Sequence, residues 1–363
     1  MMKQLCITLL TVALAACGGS QPALQPTASP ETLPTATEPP TPTTAPPTPT
    51  TAPTLVPPSP TSEPDASGLV SFDGRQVQLR LTNVPPAPTG KVYVGWLGDP
   101  NGSIINVGAI DPAAVPDAIY TDPQSRNLIG LFNSFQITLE DKADEKAPTG
   151  AIALGGSIAP EALDAVRQIL VESTAPGGQG LAASMLRQAE VMFQHAKLAS
   201  DALTAGDFRG AKQHSEHVIN IAAGQDSPQF GDHDGNGAAE NPGDGFGVAV
   251  YARRAIELVQ LLGETGVSEE TRQVILQGTA CAANVENRSL DAIQAALDII
   301  AASDTSAATL AGVRMVSLAN AADTGADANN NGTIENAKDE CGATQLLEIV
   351  PRLADIPLHP PSR

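Results

Sequence analysis

The chain has 363 residues, and its 40 acidic residues outnumber its 20 basic residues, which gives a formal net charge of −20 at pH 7. No basic stripe is present in the sequence, and this argues against nucleic acid as a partner, because phosphate recognition needs clustered Lys and Arg. The length is sufficient for two ordinary domains beyond the N-terminal segments.

The N-terminus has the pattern of an export signal. Lys3 supplies a positive charge, and the apolar run that follows, residues 5–14, is too short to span a bilayer. The run ends in Leu14-Ala15-Ala16-Cys17-Gly18, which resembles the lipobox of bacterial lipoproteins. The resemblance implies a signal peptide over residues 1–16 and a lipidated Cys17 that anchors the protein to the cell membrane, facing the extracytoplasmic side. The alternative is an ordinary secretory signal in which Cys17 is incidental.

A segment rich in Pro, Thr, Ala and Ser follows, and together with Cys17 it makes up residues 17–67. Such a composition buries too little apolar surface to offset the entropy lost on ordering, so we expect a disordered, semi-extended linker. In a polyproline II conformation, at about 3.1 Å per residue, the linker would hold a folded body up to roughly 140 Å from the lipid.

Residues 68–156 have the pattern of short strands. Apolar and polar residues alternate in 77–81 and 135–140, and 92–97 is rich in β-branched and aromatic residues. Turn signals such as Asp73-Gly74 separate these runs. Several short strands with turns between them predict an antiparallel β-sandwich.

One stretch of this region resembles a known family. The stretch reads Leu79-x-Leu81-x-Asn83-Val84-Pro85-Pro86-Ala87-Pro88-x-Gly90-Lys91-Val92-Tyr93-x-x-Trp96-Leu97. It is similar to the core signature of the anti-sigma-K factor RskA C-terminal domain, in which a Pro-rich turn leads to a Gly-Lys-x-Tyr-x-x-Trp strand. The resemblance implies the extracytoplasmic domain of a membrane regulator. We expect neither the transmembrane helix nor the cytoplasmic sigma-binding segment of that family here, so the resemblance predicts fold and location rather than anti-sigma activity.

From Pro160 the apolar spacing becomes three and four residues, which indicates helices. Asp207 and Ser268 are suitable N-caps for two of them. Helices are predicted at residues 181–204, 208–223, 246–262, 268–302, 306–322 and 342–353. Short connections between antiparallel neighbours predict an up-and-down bundle over residues 160–363. The predicted fold class is therefore multidomain, with an all-β antiparallel sandwich followed by an all-α helical bundle.

Three histidines lie in the first helical hairpin. His195 precedes Gly206 by eleven residues, and His214 and His217 follow it by eight and eleven. In antiparallel helices the three side chains would lie at a similar height, about 12–16 Å from the turn. This placement suits a transition-metal site or a haem in the bundle core. The alternative is that the three histidines are surface or hydrogen-bonded residues without a ligand.

Two acidic loops have the spacing of EF-hand-like calcium loops, with oxygen ligands at positions 1, 3, 5 and 9 and Gly at position 6. The candidate calcium residues of the first loop are Asp232, Asp234, Asn236, Glu240 and Asp244. Those of the second loop are Asp327, Asn329, Asn331, Glu335 and Glu340. At position 12, Gly243 and Lys338 replace the usual Glu, which predicts weak, structural calcium sites. The alternative is that both are ordinary turns rich in Asn, Asp and Gly.

Two cysteines, Cys281 and Cys341, remain once Cys6 in the signal and the lipidated Cys17 are set aside. An even pair in an oxidising compartment predicts a disulfide.

The sequence contains no GxSxG, HExxH or Walker A motif. We therefore predict a non-enzymatic binding or sensory module of the bacterial envelope, supported by calcium, with the membrane and envelope proteins as partners. Two alternatives stay open: a metal- or haem-binding lipoprotein that uses the histidine hairpin, and an envelope enzyme of unknown type.

Overall fold

Strands come first and helices second in the computed structural model, as the sequence predicts. The structure describes residues 65–114, 119–263 and 267–361. The predicted signal peptide, Cys17 and nearly all of the predicted linker lie outside the described residues.

The described strands form two antiparallel sheets of four strands each. The first sheet contains β1 (Ser67–Asp73), β2 (Gln76–Thr82), β5 (Tyr120–Thr121) and β8 (Ile356–Leu358), in the order β5-β2-β1-β8. The second contains β3 (Val92–Gly98), β4 (Ile104–Ile110), β6 (Ser134–Glu140) and β7 (Ala151–Ser157), in the order β4-β3-β6-β7.

Alternation of side chains builds the core of the sheets. Phe72 of β1 lies opposite Val77 of β2, and both are buried, whereas their polar neighbours point outward. Trp96 of β3 is only 1% exposed, and its indole Nε1 donates a hydrogen bond to Oγ1 of Thr138 at 2.7 Å. Thr138 in turn donates to the buried carboxylate of Glu140. The tryptophan of the family signature is therefore a core residue with a satisfied N–H group.

The described part of the chain contains seven α-helices and two short 3₁₀ helices. The α-helices are α1 (Pro160–Leu170), α2 (Leu181–Ala205), α3 (Phe208–Ala223), α4 (Val248–Gly263), α5 (Glu269–Ala301), α6 (Thr305–Thr324) and α7 (Ala343–Ile349). The 3₁₀ helices are Leu128–Gly130 and Val350–Ala354. The predicted N-caps are confirmed, since the side chains of Asp207 and Ser268 accept hydrogen bonds from the backbone N–H groups of Gly210 and Thr271.

The end of the chain returns to the first sheet. In β8, Ile356 pairs with Val70 and Leu358 pairs with Gly68. The region predicted as a helical bundle, residues 160–363, thus also supplies a strand, because three residues are too few to show a period-two pattern. Sheets and helices share one continuous buried core, and Ser62–Arg363 form one compact unit.

A disulfide joins Cys281 of α5 to Cys341, just before α7, with a Cα–Cα distance of 5.0 Å. Arg288 reinforces the same connection, because its Nη1 donates to the carbonyl oxygens of Ala321 and Cys341 at 2.7 and 2.8 Å. The loop between α6 and α7, residues 325–342, is therefore fixed to the middle of the longest helix.

Candidate metal centre

A tight turn sets the geometry of the histidine hairpin. Helix α2 ends at Gly206, whose φ of 78° places it in the left-handed region that favours glycine. Asp207 then caps α3. Because the two helices run back along each other from this turn, His195 on α2 comes to lie beside residues of α3 that follow the turn at a similar distance.

The three imidazoles meet at their Nδ1 atoms. Nδ1 of His195 lies 3.1 Å from Nδ1 of His214 and 3.1 Å from Nδ1 of His217. Metal–nitrogen bonds of about 2.0–2.1 Å in a tetrahedral site separate neighbouring nitrogens by about 3.3–3.4 Å. Two of the three nitrogen–nitrogen distances are therefore close to those of a metal tetrahedron, and one ring nitrogen of each histidine lies within 4.8 Å of the other two.

The contact that Nε2 of His217 makes with Glu240 determines which ring nitrogen carries the proton in this pair. Nε2 of His217 lies 3.1 Å from Oε2 of Glu240. Hydrogen bonds from Gln213 and His217 hold the pKa of Glu240 below its ordinary value, so Glu240 is a carboxylate and can only accept. Nε2 therefore carries a proton and donates it to Glu240, and in the neutral tautomer this leaves the lone pair on Nδ1. This is the arrangement of a metal-bound histidine with an orienting carboxylate.

His195 and His214 do not hold a proton readily. Burial, and after it repulsion from His217 and His214, lowers the pKa of His195 to about 4. Burial and His217 also lower the pKa of His214. The lowered pKa values keep the rings of His195 and His214 neutral near neutral pH, and one Nδ1 cannot donate to both of its neighbours. A cation bound between the three nitrogens would satisfy the lone pairs that converge there.

The centre is open to ions on one side. His217 is buried, whereas His195 and His214 are half-buried, so solvent reaches the edge of the cluster.

Haem fits this geometry poorly. Two axial nitrogens on opposite faces of a haem iron are separated by about 4 Å with the porphyrin between them, and Nδ1 atoms 3.1 Å apart leave no room for a macrocycle. Of the two ligands suggested by the sequence, the geometry favours the metal ion.

The first acidic loop, residues 224–247, lies next to this centre, and its predicted calcium residues separate into three groups. Asp232 and Asp234 come within reach of a common ion together with Glu216 of α3. Glu240 turns instead to His217, and Asp244 accepts a hydrogen bond from the Tyr251 hydroxyl at 2.7 Å. The remaining residue, Asn236, donates its side-chain amide to Asp234 at 3.0 Å.

Sequence reasoning missed Glu216. This residue is 1% exposed, and its carboxylate accepts hydrogen bonds from the backbone N–H groups of His233, Asp234 and Glu240 at 2.6, 3.0 and 2.9 Å. The sequence carries no local signal for this role, because only the fold shows that Glu216 reaches the loop.

In the second acidic loop the predicted residues gather. Asp327 accepts hydrogen bonds from the backbone N–H groups of Asn331 and Gly332 at 3.1 and 2.8 Å. The side-chain amides of Asn329 and Asn331 both donate to Glu335.

The fifth predicted residue of this loop, Glu340, lies beneath it. The backbone N–H of Glu335 donates to Oε2 of Glu340 at 2.9 Å. A hydrogen bond between the two side chains raises the pKa of the buried Glu340 and lowers that of Glu335 to about 2. The two carboxyl groups therefore lie at a position where a bound cation would compensate both charges.

The comparisons with known proteins bear on the N-terminal part of the chain. A family model described as "Anti-sigma-K factor rskA, C-terminal" matches residues 6–152. This match confirms the similarity predicted from the strand signature, and it covers less than half of the chain. No curated protein and no solved structure matches the chain. The matched region ends inside β7, so the histidine centre and both acidic loops lie outside it.

Among the described residues, none of the helices combines the length and the apolar character that a membrane span requires.

Proposed function

We propose that the protein is a lipid-anchored binding protein of the bacterial envelope, and that it holds one divalent transition-metal ion on His195, His214 and His217. The observation that carries the proposal is the convergence of three imidazoles, with Nδ1 of His195 lying 3.1 Å from Nδ1 of both His214 and His217. The metal-binding alternative from the sequence thus stands ahead of a sensory module without a metal, and of a haem protein.

The donor set suits a borderline metal ion. Neutral imidazoles favour zinc, copper, iron and nickel, whereas magnesium and calcium prefer oxygen ligands. Among the described residues, both cysteines are joined in the disulfide and do not compete as thiolates. Three protein ligands leave a fourth position for water or for a donor from a partner molecule.

The hydrogen bonds of the carboxylate nearest to the three histidines favour metal binding over catalysis as the function of this centre. A hydrolytic metal site needs a base for the metal-bound water. Of the described residues, Glu240 is the carboxylate in contact with the cluster, and it is already engaged with His217 and Gln213. It therefore orients a ligand instead of activating water.

The location rests on two features of the N-terminal part. The motif around Cys17 resembles a lipobox, and the strands that follow are similar to a domain of a membrane regulator. Together they support a lipid anchor with the folded part on the extracytoplasmic side, where exported proteins meet metal ions and envelope partners.

Calcium is proposed as a structural ion for the two acidic loops. The proximity of Glu335 to Glu340, and the approach of Asp232 and Asp234 to Glu216, support a role for a cation in both loops. This role is separate from the histidine centre, since it uses oxygen donors.

Metal binding is tested on the full-length purified chain, stripped of metal and titrated with zinc and with cobalt(II). We expect one ion per chain and a visible cobalt spectrum of four-coordinate character. His195→Ala, His214→Ala and His217→Ala should each weaken zinc binding by more than the roughly 100-fold that loss of an outer partner costs.

His233→Ala is the matched control, because the His233 side chain lies on the adjacent loop and its Nε2 contacts the carbonyl of Gln229 at 2.8 Å. This variant should bind zinc like the wild type. Unfolding curves of the metal-free variants establish that each is folded. If folded variants of all three clustered histidines keep wild-type affinity, the proposed metal centre is wrong.

A further inference from the structure

We infer that Glu240 is a positioning residue of the histidine centre, and that the loop segment 231–241 sets the affinity of the centre for its metal through this one side chain. The inference rests on the proposed function. It adds a regulatory element to the three ligands, one that the calcium-loop pattern had assigned to a different ion.

The carboxylate of Glu240 is held from helix α3 at two points. Its Oε2 accepts from Nε2 of His217 at 3.1 Å and from Nε2 of Gln213 at 3.0 Å. Gln213 and His217 are four residues apart on α3, so they lie on one face of the helix. The carboxylate therefore stands directly over the helix face that carries the ligand, and Gln213 keeps it there.

The backbone of Glu240 is fixed to the same helix. Its N–H donates to Oε1 of Glu216 at 2.9 Å, and its carbonyl accepts from Nδ2 of Asn220 at 2.9 Å. Glu216 is 1% exposed and Asn220 is fully buried. Because both partners are buried and rigid, the position of the Glu240 side chain is determined by α3 and not by the loop alone.

These two side chains also hold the other end of the segment. The second oxygen of Glu216 accepts from the N–H groups of His233 and Asp234, and Asn220 exchanges two hydrogen bonds with the backbone of Gly231. One buried carboxylate thus connects the acidic turn at residues 232–234 with the residue that orients His217. The turn and Glu240 are therefore coupled through Glu216.

The consequence for the metal follows from the role of outer-sphere carboxylates. By accepting a hydrogen bond from the N–H group at Nε2, Glu240 leaves Nδ1 of His217 available as a ligand atom. The same hydrogen bond restrains the ring and makes Nδ1 more basic. Loss of such a partner lowers metal affinity by about 10–100-fold. An amide at the same place still accepts a hydrogen bond but lacks the charge, so it should retain part of the effect.

The test compares zinc affinities of the full-length chain without added calcium, measured by competition with a chromophoric chelator. Relative to the wild type, we expect Glu240→Gln to bind several-fold more weakly and Glu240→Ala about 10–100-fold more weakly. Glu335→Gln is the matched control, because Glu335 occupies position 9 of the second loop and none of its described hydrogen bonds is to a histidine. It should leave zinc affinity unchanged.

A second measurement separates positioning from general stability. Nitrogen-15 spectra of the metal-free protein should show His217 protonated at Nε2 in the wild type and as a mixture of tautomers in Glu240→Ala. If the wild type binds no zinc, the proposed function falls and this inference with it. If the wild type binds zinc and both Glu240 variants match it, or if Glu335→Gln loses affinity equally, the inference alone is overturned.

Discussion

Gly224 and Gly325 end helices α3 and α6 in the same way. Their φ values are 82° and 83°, and each donates its N–H to the carbonyl of the residue four positions earlier. Each also lies against the glycine that precedes the next helix, Gly247 for the first loop and Gly342 for the second. Both acidic loops are therefore closed at their base by a contact between two glycine backbones.

The two acidic loops share one structural pattern, which occurs twice in the chain. Each begins with Asp in the first position, has Gly in the sixth, and reaches its closing glycine at the same spacing from that Asp. The helices before them differ. Where α3 carries His214 and His217, α6 carries Met315 and Leu318 at the matching distances from the terminal glycine. The histidine cluster is thus a property of the first copy only.

The glycine contact gives a steric prediction. A Cβ at Gly342 would lie 2.6 Å from the backbone nitrogen of Gly325 and 2.8 Å from the carbonyl oxygen of Ala321. Because both are backbone atoms, no side-chain rotation can relieve the clash. Gly342→Ala should lower the free energy of unfolding by about 3 kcal/mol or more, measured by urea denaturation. Gly332→Ala is the control. Its φ is 87° but the space around it is empty, so we expect a loss of only about 1 kcal/mol.

Much of the hairpin follows from local sequence signals. Asp207 and Gly224 bound α3 at the residues predicted, because capping and the left-handed terminus depend on near neighbours. The similar distances of the histidines from Gly206, eleven, eight and eleven residues, were enough to place them together. A 3.6-residue period and a tight turn determine heights along two helices, so the site could be predicted without knowledge of the rest of the fold.

The partners of the centre could not be predicted in this way. Glu240 matched position 9 of a calcium loop, yet its carboxylate reaches His217, which is distant in sequence. Glu216 gave no signal, since its role depends on which loop lies over α3. The pairing of β8 with β1 joins opposite ends of the chain, and a three-residue strand carries too little pattern to indicate it.

Asp323 should make stability depend on pH. Burial, and after it the charge of Glu190, raises the pKa of this carboxyl from 3.8 to about 6. The unfolded chain therefore releases this proton at lower pH than the folded protein, so the stabilisation is complete below pH 3.8 and is lost as pH rises through 6.

Asp323→Asn removes the buried charge. It should raise the free energy of unfolding at pH 8 by up to about 3 kcal/mol and give no gain at pH 4. Denaturation curves at the two pH values measure the difference. The control is Asp298→Asn, at an exposed position of α5. An equal gain from Asp323→Asn at both pH values would show that the charge is not the cause.

The disulfide closes a sequence separation of 60 residues between Cys281 and Cys341. In the chain-entropy model this contributes about 4 kcal/mol by restricting the unfolded chain. The double variant Cys281→Ala, Cys341→Ala should lose about this amount in urea denaturation, and a reducing agent should destabilise the wild type but leave the double variant unchanged. Two free thiols in mass spectra of the oxidised protein would contradict the assignment.

The anchor is tested at Cys17. If this residue is lipidated, Cys17→Ser should release the protein from membranes or leave an uncleaved precursor, since the thioether that carries the lipid cannot form. Fractionation of cells followed by mass spectrometry of the N-terminus measures both outcomes. Unchanged processing together with membrane retention in Cys17→Ser would exclude the lipoprotein interpretation.

Calcium should stabilise the fold through both acidic loops. Without a cation the carboxylates of Asp232, Asp234 and Glu216 repel one another, and so do those of Glu335 and Glu340. An ion that binds only the folded form raises stability by mass action, by about 2.7 kcal/mol at a free concentration 100-fold above its dissociation constant. The melting temperature of the calcium-stripped chain should therefore rise as calcium is added.

Single substitutions divide this response between the loops. Asp232→Ala and Asp327→Ala should each remove part of the calcium-dependent rise, because each deletes the residue at position 1 of one loop. His214→Ala should keep the whole rise while losing zinc binding, since the histidine centre uses nitrogen donors. Superimposable melting curves of the wild type with calcium and with a chelator would mean that the backbone hydrogen bonds within the two loops hold them without an ion.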